Sequence, residues 1–272
     1  MNFQFILAGN WQSRIFDFSK AFSVMRNTMR TLYILILFTI SLTCCSKNNS
    51  ENKEILFTDY MEWWKYYNNE IHLSSNFQAL GSEENEISKK QFLDSLKTGN
   101  YLPIKHHSKT NTYYLQKNKS NDESITSTIK QVTEIQLFNL SWEGKEIPEF
   151  NFTDLSGNNY TKENTKNKTV LLKTYYTNCQ ACNKEMPELN KFVAEKNSPN
   201  VIFLSLALDD EKKLKNYLKN KHYKYHFVPD QEEFIRTKLE SDIFPTHFVI
   251  ENGIIRKVVN DASELIVYMK NK

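Results

Sequence analysis

The chain has 272 residues, is 40% hydrophobic and 13% aromatic, and carries a formal charge of +3. That length accommodates one large or two small domains, and the apolar content is enough for a core. Residues 1–44 hold Arg14, Lys20, Arg26 and Arg30 against Asp17 alone, while the remainder is balanced in sign, so nothing argues for a nucleic-acid partner.

In chain order, the first feature is an uncharged apolar run of 11 residues, Leu32 to Leu42, preceded by Arg26 and Arg30. A membrane span needs about 20 such residues, whereas this length suits the core of a signal peptide. The run ends in Leu42-Thr43-Cys44-Cys45-Ser46-Lys47, which resembles the cleavage box of bacterial lipoproteins. Cys45 is the expected lipidated residue, with Cys44 as the alternative. A start at Met25 or Met29 would give a signal peptide of ordinary length. Residues 1–45 are therefore read as an export signal, 46–53 as a polar tether, and the rest as exported into a compartment where disulfides persist.

Residues 54–141 form an N-terminal α+β region. Ile55 to Leu73, rich in Trp63, Trp64, Tyr66 and Tyr67, fits an amphipathic helix, with its aromatic cluster expected to pack against the second domain. A short helix is predicted over Ser88–Leu96 and stops before Gly99. Tyr113–Gln116 and Val132–Leu140 are read as strands. His106-His107 lacks a partner at ligand spacing and is read as a solvated loop rather than a metal site.

Residues 142–272 alternate strands and helices. Strands are predicted at 170–176, 201–207 and 224–228, alternating with helices at 180–196, 210–220 and 231–239. Thr246–Glu251 and Ile254–Val259 flank Asn252-Gly253, a two-residue hairpin signal, and Ala262–Lys270 is a final helix. An additional hairpin is expected between Ile147 and Tyr160. This order predicts an α/β domain with a central mixed β-sheet flanked by helices.

The chemistry concentrates at Cys179-Gln180-Ala181-Cys182. A buried strand delivers the pair onto a helix start, where unpaired backbone N–H groups and the positive end of the helix dipole favour a thiolate. The thiolate is the form that attacks disulfides. Glu185, one turn on, is either a tuning and proton-shuttling group or a dipole-favoured surface glutamate. Pro187 lies inside the helix and removes one backbone donor.

Three segments resemble the TlpA/ResA-type thiol–disulfide oxidoreductases of the thioredoxin superfamily. They are Ile147-Pro148-Glu149-Phe150 through Gly157, then Cys179-x-x-Cys182-x-x-Glu185-Met186-Pro187, then Phe244-Pro245-Thr246-His247-Phe248. The likeness covers about 130 residues, and residues 54–141 lie outside it. It implies a thioredoxin-like fold with the catalytic set Cys179, Cys182, Glu185 and Pro245. Cys179 would be the exposed attacking cysteine, Cys182 the resolving one, and Pro245 a cis proline whose loop pairs with substrate. Asn178 stands where the family usually has Trp.

The expected activity is reduction of disulfides in exported proteins by a membrane-tethered lipoprotein facing the periplasm, with a membrane electron donor or acceptor and with no cofactor or metal. A disulfide oxidant or isomerase, and a redox-silent adaptor, are the alternatives. A zinc site would need a second Cys/His pair. A peroxiredoxin would need Pro and Thr where Leu172 and Tyr176 stand, and haem attachment would need His in place of Asn183.

Overall fold

The computed structural model describes residues 55–196 and 198–272. The export signal with Cys45 and the 46–53 tether lie outside the described residues. No helix among the described residues is long and apolar enough to cross a membrane.

Glu54–Lys272 cluster as one compact unit containing two larger sheets. Helix α1 (Tyr60–Glu70) starts at Asp59, whose carboxylate accepts from the Glu62 amide, as an N-cap should. Strands β1 (Gln78–Leu80), β2 (Glu86–Ile87), β3 (Tyr101–Lys105) and β4 (Thr112–Lys117) form a sheet in the order β2-β1-β4-β3. Of these, only β4 is foreseen by the sequence reading. Pro103 falls on edge strand β3, where a missing N–H does least damage. Helix α2 (Lys89–Lys97) begins with a reciprocal Ser88–Gln91 capping box.

The segment 132–140, read as a strand, lies instead within helix α3 (Glu123–Trp142). The helix starts at the Asp122 N-cap, upstream of the segment used for that reading, and its buried residues Ile125, Ile129 and Thr133 recur every four positions. The first half of α3 packs on the N-terminal core with Phe92 and Leu96. At its far end, Phe138 and Trp142 pack on the second sheet with Ile147 and Phe248. One helix thus serves both cores.

The aromatic cluster of α1 also departs from expectation. Trp63 is fully buried in the core of its own sheet, with Tyr67 at 5.3 Å between ring centroids, rather than against the second sheet. The His106-His107 turn is likewise half corrected. His107 is exposed, but His106 is buried and stacks on it at 5.1 Å. Among the described residues no group of His, Cys, Asp or Glu is arranged to hold a metal ion.

The second sheet follows β5 (Asn151–Thr153) and β6 (Asn159–Thr161), the expected extra hairpin. Its strands are β7 (Thr169–Tyr175), β8 (Val201–Ala207), β9 (His226–Val228), β10 (His247–Glu251) and β11 (Ile254–Val259). They lie in the order β11-β10-β7-β8-β9, with β7-β8-β9 parallel and β10 antiparallel to both neighbours. Helices α4 (Gln180–Glu195), α5 (Glu211–Leu218) and α6 (Ala262–Lys270) connect or flank them. Asn252 and Gly253 both take positive φ, 53° and 77°, as a two-residue turn joining β10 to β11 requires. The helix expected at 231–239 narrows to a π-helical turn, Phe234–Lys238. This is the mixed α/β, thioredoxin-like arrangement expected from the sequence.

Candidate active site

Strand β7 is central in its sheet and buried from Val170 to Tyr175, which explains its nearly unbroken apolar sequence. It ends in a three-residue loop, Tyr176 to Asn178, that leads directly into α4. Two anchors hold that loop. The Asp209 carboxylate accepts from the Thr177 amide at 2.6 Å and from its hydroxyl at 3.0 Å. The Asn183 side-chain amide donates to the Thr177 carbonyl at 2.9 Å while its oxygen accepts from the Tyr175 hydroxyl at 2.7 Å. Burial raises the Asp209 carboxyl, but Lys213 at 2.5 Å and the Thr177 donors outweigh it and hold it below the usual range.

Cys179 is the N-cap of α4, with its sulfur accepting from the Cys182 amide at 3.0 Å. The two cysteines are joined as a disulfide. Cys179 is only 3% exposed and Cys182 not at all. The exposed attacking cysteine implied by the resemblance is thus the less covered member of a buried pair. It packs in a core that Tyr176 and Phe244 border, these two meeting edge to face at 5.3 Å. Asn178, where the family has Trp, is exposed.

The Phe244–Pro245 peptide is cis. Its segment is fastened to β7 by reciprocal bonds between Thr174 and Thr246: the Thr174 amide donates to the Thr246 carbonyl, and the Thr246 amide to the Thr174 hydroxyl, both at 2.9 Å. Asn260 adds bonds to the Thr246 hydroxyl at 2.9 Å and to the Pro245 carbonyl at 3.4 Å. Cys179, Cys182 and Pro245 therefore lie on adjoining segments anchored to one strand end.

Glu185 is not the surface glutamate of the alternative reading. Its side chain is 10% exposed and accepts three bonds. Lys173 Nζ lies at 2.6 Å, His247 Nε2 at 3.1 Å and the Ala262 amide at 3.1 Å. Burial raises its carboxyl, but His247 and Lys173 more than offset this and hold it below its ordinary value. Lys173 is fully buried and lowered by that burial, against the pull of Glu185. Its Nζ also donates to the Cys182 carbonyl at 3.0 Å.

Lys173 and His247 are the residues the sequence reading passes over. Lys173 is the sole charge in the apolar strand, and a charge buried there needs a partner. His247 stands two residues after Pro245 and pairs in register with Lys173 across β10 and β7.

Residues 144–258 match the AhpC/TSA family. The thiol-disulfide oxidoreductase ResA of Bacillus thuringiensis subsp. konkukian is 33% identical over 133 residues, covering 47% of this chain and 76% of that protein. A ResA of Bacillus cereus is 29% identical over 124 residues, covering 44% and 72%. Among solved structures, StoA from Bacillus subtilis is similar at a TM-score of 0.40 and 20% identity, covering 45% of this chain and 96% of that one.

Proposed function

Because the chain belongs to the TlpA/ResA-type thiol–disulfide oxidoreductases of the thioredoxin superfamily, we propose that its Cys179–Cys182 couple reduces disulfides in exported proteins. Family membership makes it a thiol–disulfide oxidoreductase acting on disulfide-bearing proteins. The direction of electron flow, the tether and the individual roles are our reading. The observation that carries it is a cysteine pair at the start of a 16-residue helix, next to a cis-proline segment fixed to the same strand.

In the reduced form, Cys179 attacks a partner disulfide as the thiolate. The helix start favours that form, because the Cys182 amide already points at the Cys179 sulfur. One partner sulfur leaves and a mixed disulfide remains. Cys182 then attacks Cys179 Sγ, the intramolecular disulfide forms, and the second partner sulfur departs. The partner gains two electrons and the couple loses them. Pro245 borders the reacting pair and offers its loop to a substrate strand. Glu185 tunes the dithiol from within the helix. Lipidation at Cys45 would keep the protein on the membrane, beside a membrane electron donor that restores the dithiol.

The test is the reduction potential of the chain from residue 46 onwards, equilibrated in dithiothreitol or glutathione buffers and read by alkylation and mass. A value near about −270 mV supports a reductase, and one near about −120 mV would make it a disulfide donor. Absence of any reversible couple would overturn the enzyme reading itself.

A further inference from the structure

The segment leading into the cis proline has a neighbour that lies outside the family match. Residues 131–138 of α3 precede residue 144, where that match begins. Glu134, Ile135 and Phe138 of that stretch line an open groove of about 430 Å³ together with Glu240, Asp242 and Ile243. Resting on the dithiol reading above, we propose that this groove docks the disulfide-bearing protein, taking a large apolar side chain a few positions from its reactive cysteine, with a basic residue beside it.

Two stripes run along α3. Ile125, Ile129 and Thr133 are buried, whereas Gln131, Glu134, Ile135 and Phe138 follow the i, i+3, i+4, i+7 spacing of another helix face and meet solvent in whole or in part. Half-buried Ile135, Phe138 and Ile243 give the groove its apolar surface, and its volume falls within the ~300–1,000 Å³ usual for binding sites. Its walls are fixed before anything binds. The Ile243 carbonyl accepts from the Thr246 hydroxyl at 2.8 Å, and the Ser241 amide donates to the Ile235 carbonyl at 3.0 Å. Phe138 and Phe244 pack on the same core. A preformed groove spends little of its binding energy on ordering itself.

Position picks out the occupant. Asp242-Ile243-Phe244 runs directly into Pro245, whose loop is offered to a substrate strand. A strand advances ~3.3 Å per residue. One that pairs at Pro245 and follows this segment therefore carries the side chain two or three places from its cysteine to Ile243. Charge picks out the flank. Three of the lining residues are carboxylates, and among the described residues that line the groove none is basic. Lys97 lies 3.5 Å from Glu134 and Arg236 pairs with Asp242, which leaves exposed Glu240 as the surplus negative charge. The apolar contact supplies most of the affinity, and the exposed charge selects orientation and partner.

The test uses the reduced protein and short peptides whose single cysteine is capped as a mixed disulfide with 5-thio-2-nitrobenzoate. The Cys179 thiolate attacks the peptide sulfur and the coloured thiolate leaves with the bonding pair, so colour release times docking and attack. The peptides carry Phe-Lys or Ser-Glu two and three places from the cysteine, on either side of it. The wild-type protein should react about tenfold faster with the better-placed Phe-Lys peptide than with its Ser-Glu counterpart. Ile135→Glu should bring that preference to within about twofold. Glu240→Lys should cost only the preference for Lys over Glu, about threefold and less at high salt. Equal wild-type rates on all peptides, or a full preference surviving in Ile135→Glu, would overturn the proposal. Should that variant fail to fold, a benzophenone side chain in place of the peptide Phe decides in the wild-type protein. Crosslinks to residues 131–138, located by mass, support the site, and crosslinks confined elsewhere remove it. Sedimentation showing a wild-type dimer and a monomeric Ile135→Glu would assign the groove to a second copy and likewise overturn the proposal. Colour release from none of the peptides would instead count against the dithiol reading, so the two failures are distinguishable.

Discussion

Asn139 on α3 donates through its side-chain amide to the Asn260 side-chain oxygen at 2.7 Å, across 121 positions of sequence. Asn260 in turn donates to the Thr246 hydroxyl and the Pro245 carbonyl. The helix that closes the N-terminal core is therefore wired to the segment bordering the dithiol. That gives residues 54–141 a physical connection to the site even though the family match begins only at residue 144.

Asn139→Leu removes the donor and leaves the Asn260 oxygen without it in a largely closed interface. The expected cost is about 1–3 kcal/mol of stability. Urea unfolding should show a lower midpoint at unchanged slope, since the surface exposed on unfolding is the same. A midpoint equal to the wild type would mean that the bond contributes nothing to holding α3 in place.

The Lys173–Glu185 pair should be far more sensitive. Lys173→Met takes the lysine cation from the Glu185 carboxylate and leaves it His247 and the Ala262 amide as donors, and breaking a buried pair from one side costs about 3–5 kcal/mol. Lys173→Met combined with Glu185→Gln removes both charges and should recover much of that loss. A double variant no more stable than the single one would show that the two residues do not act as a pair.

Glu185 also sets a pH dependence whose sign follows from its environment. Its folded carboxyl lies below the ordinary 4.5. It therefore contributes stability that is fully present above the unfolded value and is lost as pH falls through the folded one. Thermal midpoints should drop through that acidic window, and Glu185→Gln should flatten the drop. The same variant should shift the cysteine titrations while still allowing the disulfide to form; unchanged pH–rate profiles would remove Glu185 from the mechanism.

Much of the second sheet was legible because its signals are local. An Asn-Gly pair dictates a hairpin, and C-x-x-C between an apolar run and an amphipathic one dictates strand, cap and helix. Where the reading failed, the deciding information lay elsewhere. Val132–Leu140 holds enough β-branched and aromatic residues to resemble a strand, yet its fate is set upstream by Asp122 and by the Ile125, Ile129, Thr133 stripe. The α1 aromatics gave no direction for their burial, since periodicity identifies an apolar face and not its partner. At the site, Cys179, Cys182, Glu185 and Pro245 came from a motif, whereas Lys173 and His247 acquire meaning only when β7 and β10 pair.

Asp209 offers a test of the loop that presents Cys179. Asp209→Ala removes both acceptors for Thr177 and the partner of Lys213, at an expected cost of about 1–3 kcal/mol. Hydrogen exchange should reveal the change locally, with the Thr177 amide losing protection well before the β7 amides do. Equal protection in variant and wild type would show that Asn183 alone fixes the loop.

The division of labour between the cysteines predicts opposite outcomes for two serine variants. Cys182→Ser keeps the helix-capping sulfur at Cys179 and removes the resolving thiol, so a disulfide-bearing protein should accumulate on it as a mixed disulfide, seen as a stable mass adduct cleaved by dithiothreitol. Cys179→Ser leaves only the fully buried sulfur of Cys182, and should form that adduct at least about tenfold more slowly, because attack requires an accessible thiolate. Equal trapping by both variants would mean that either sulfur can attack. A reversal of the order would make Cys182 the nucleophile and require α4 to open at its first turn before reaction.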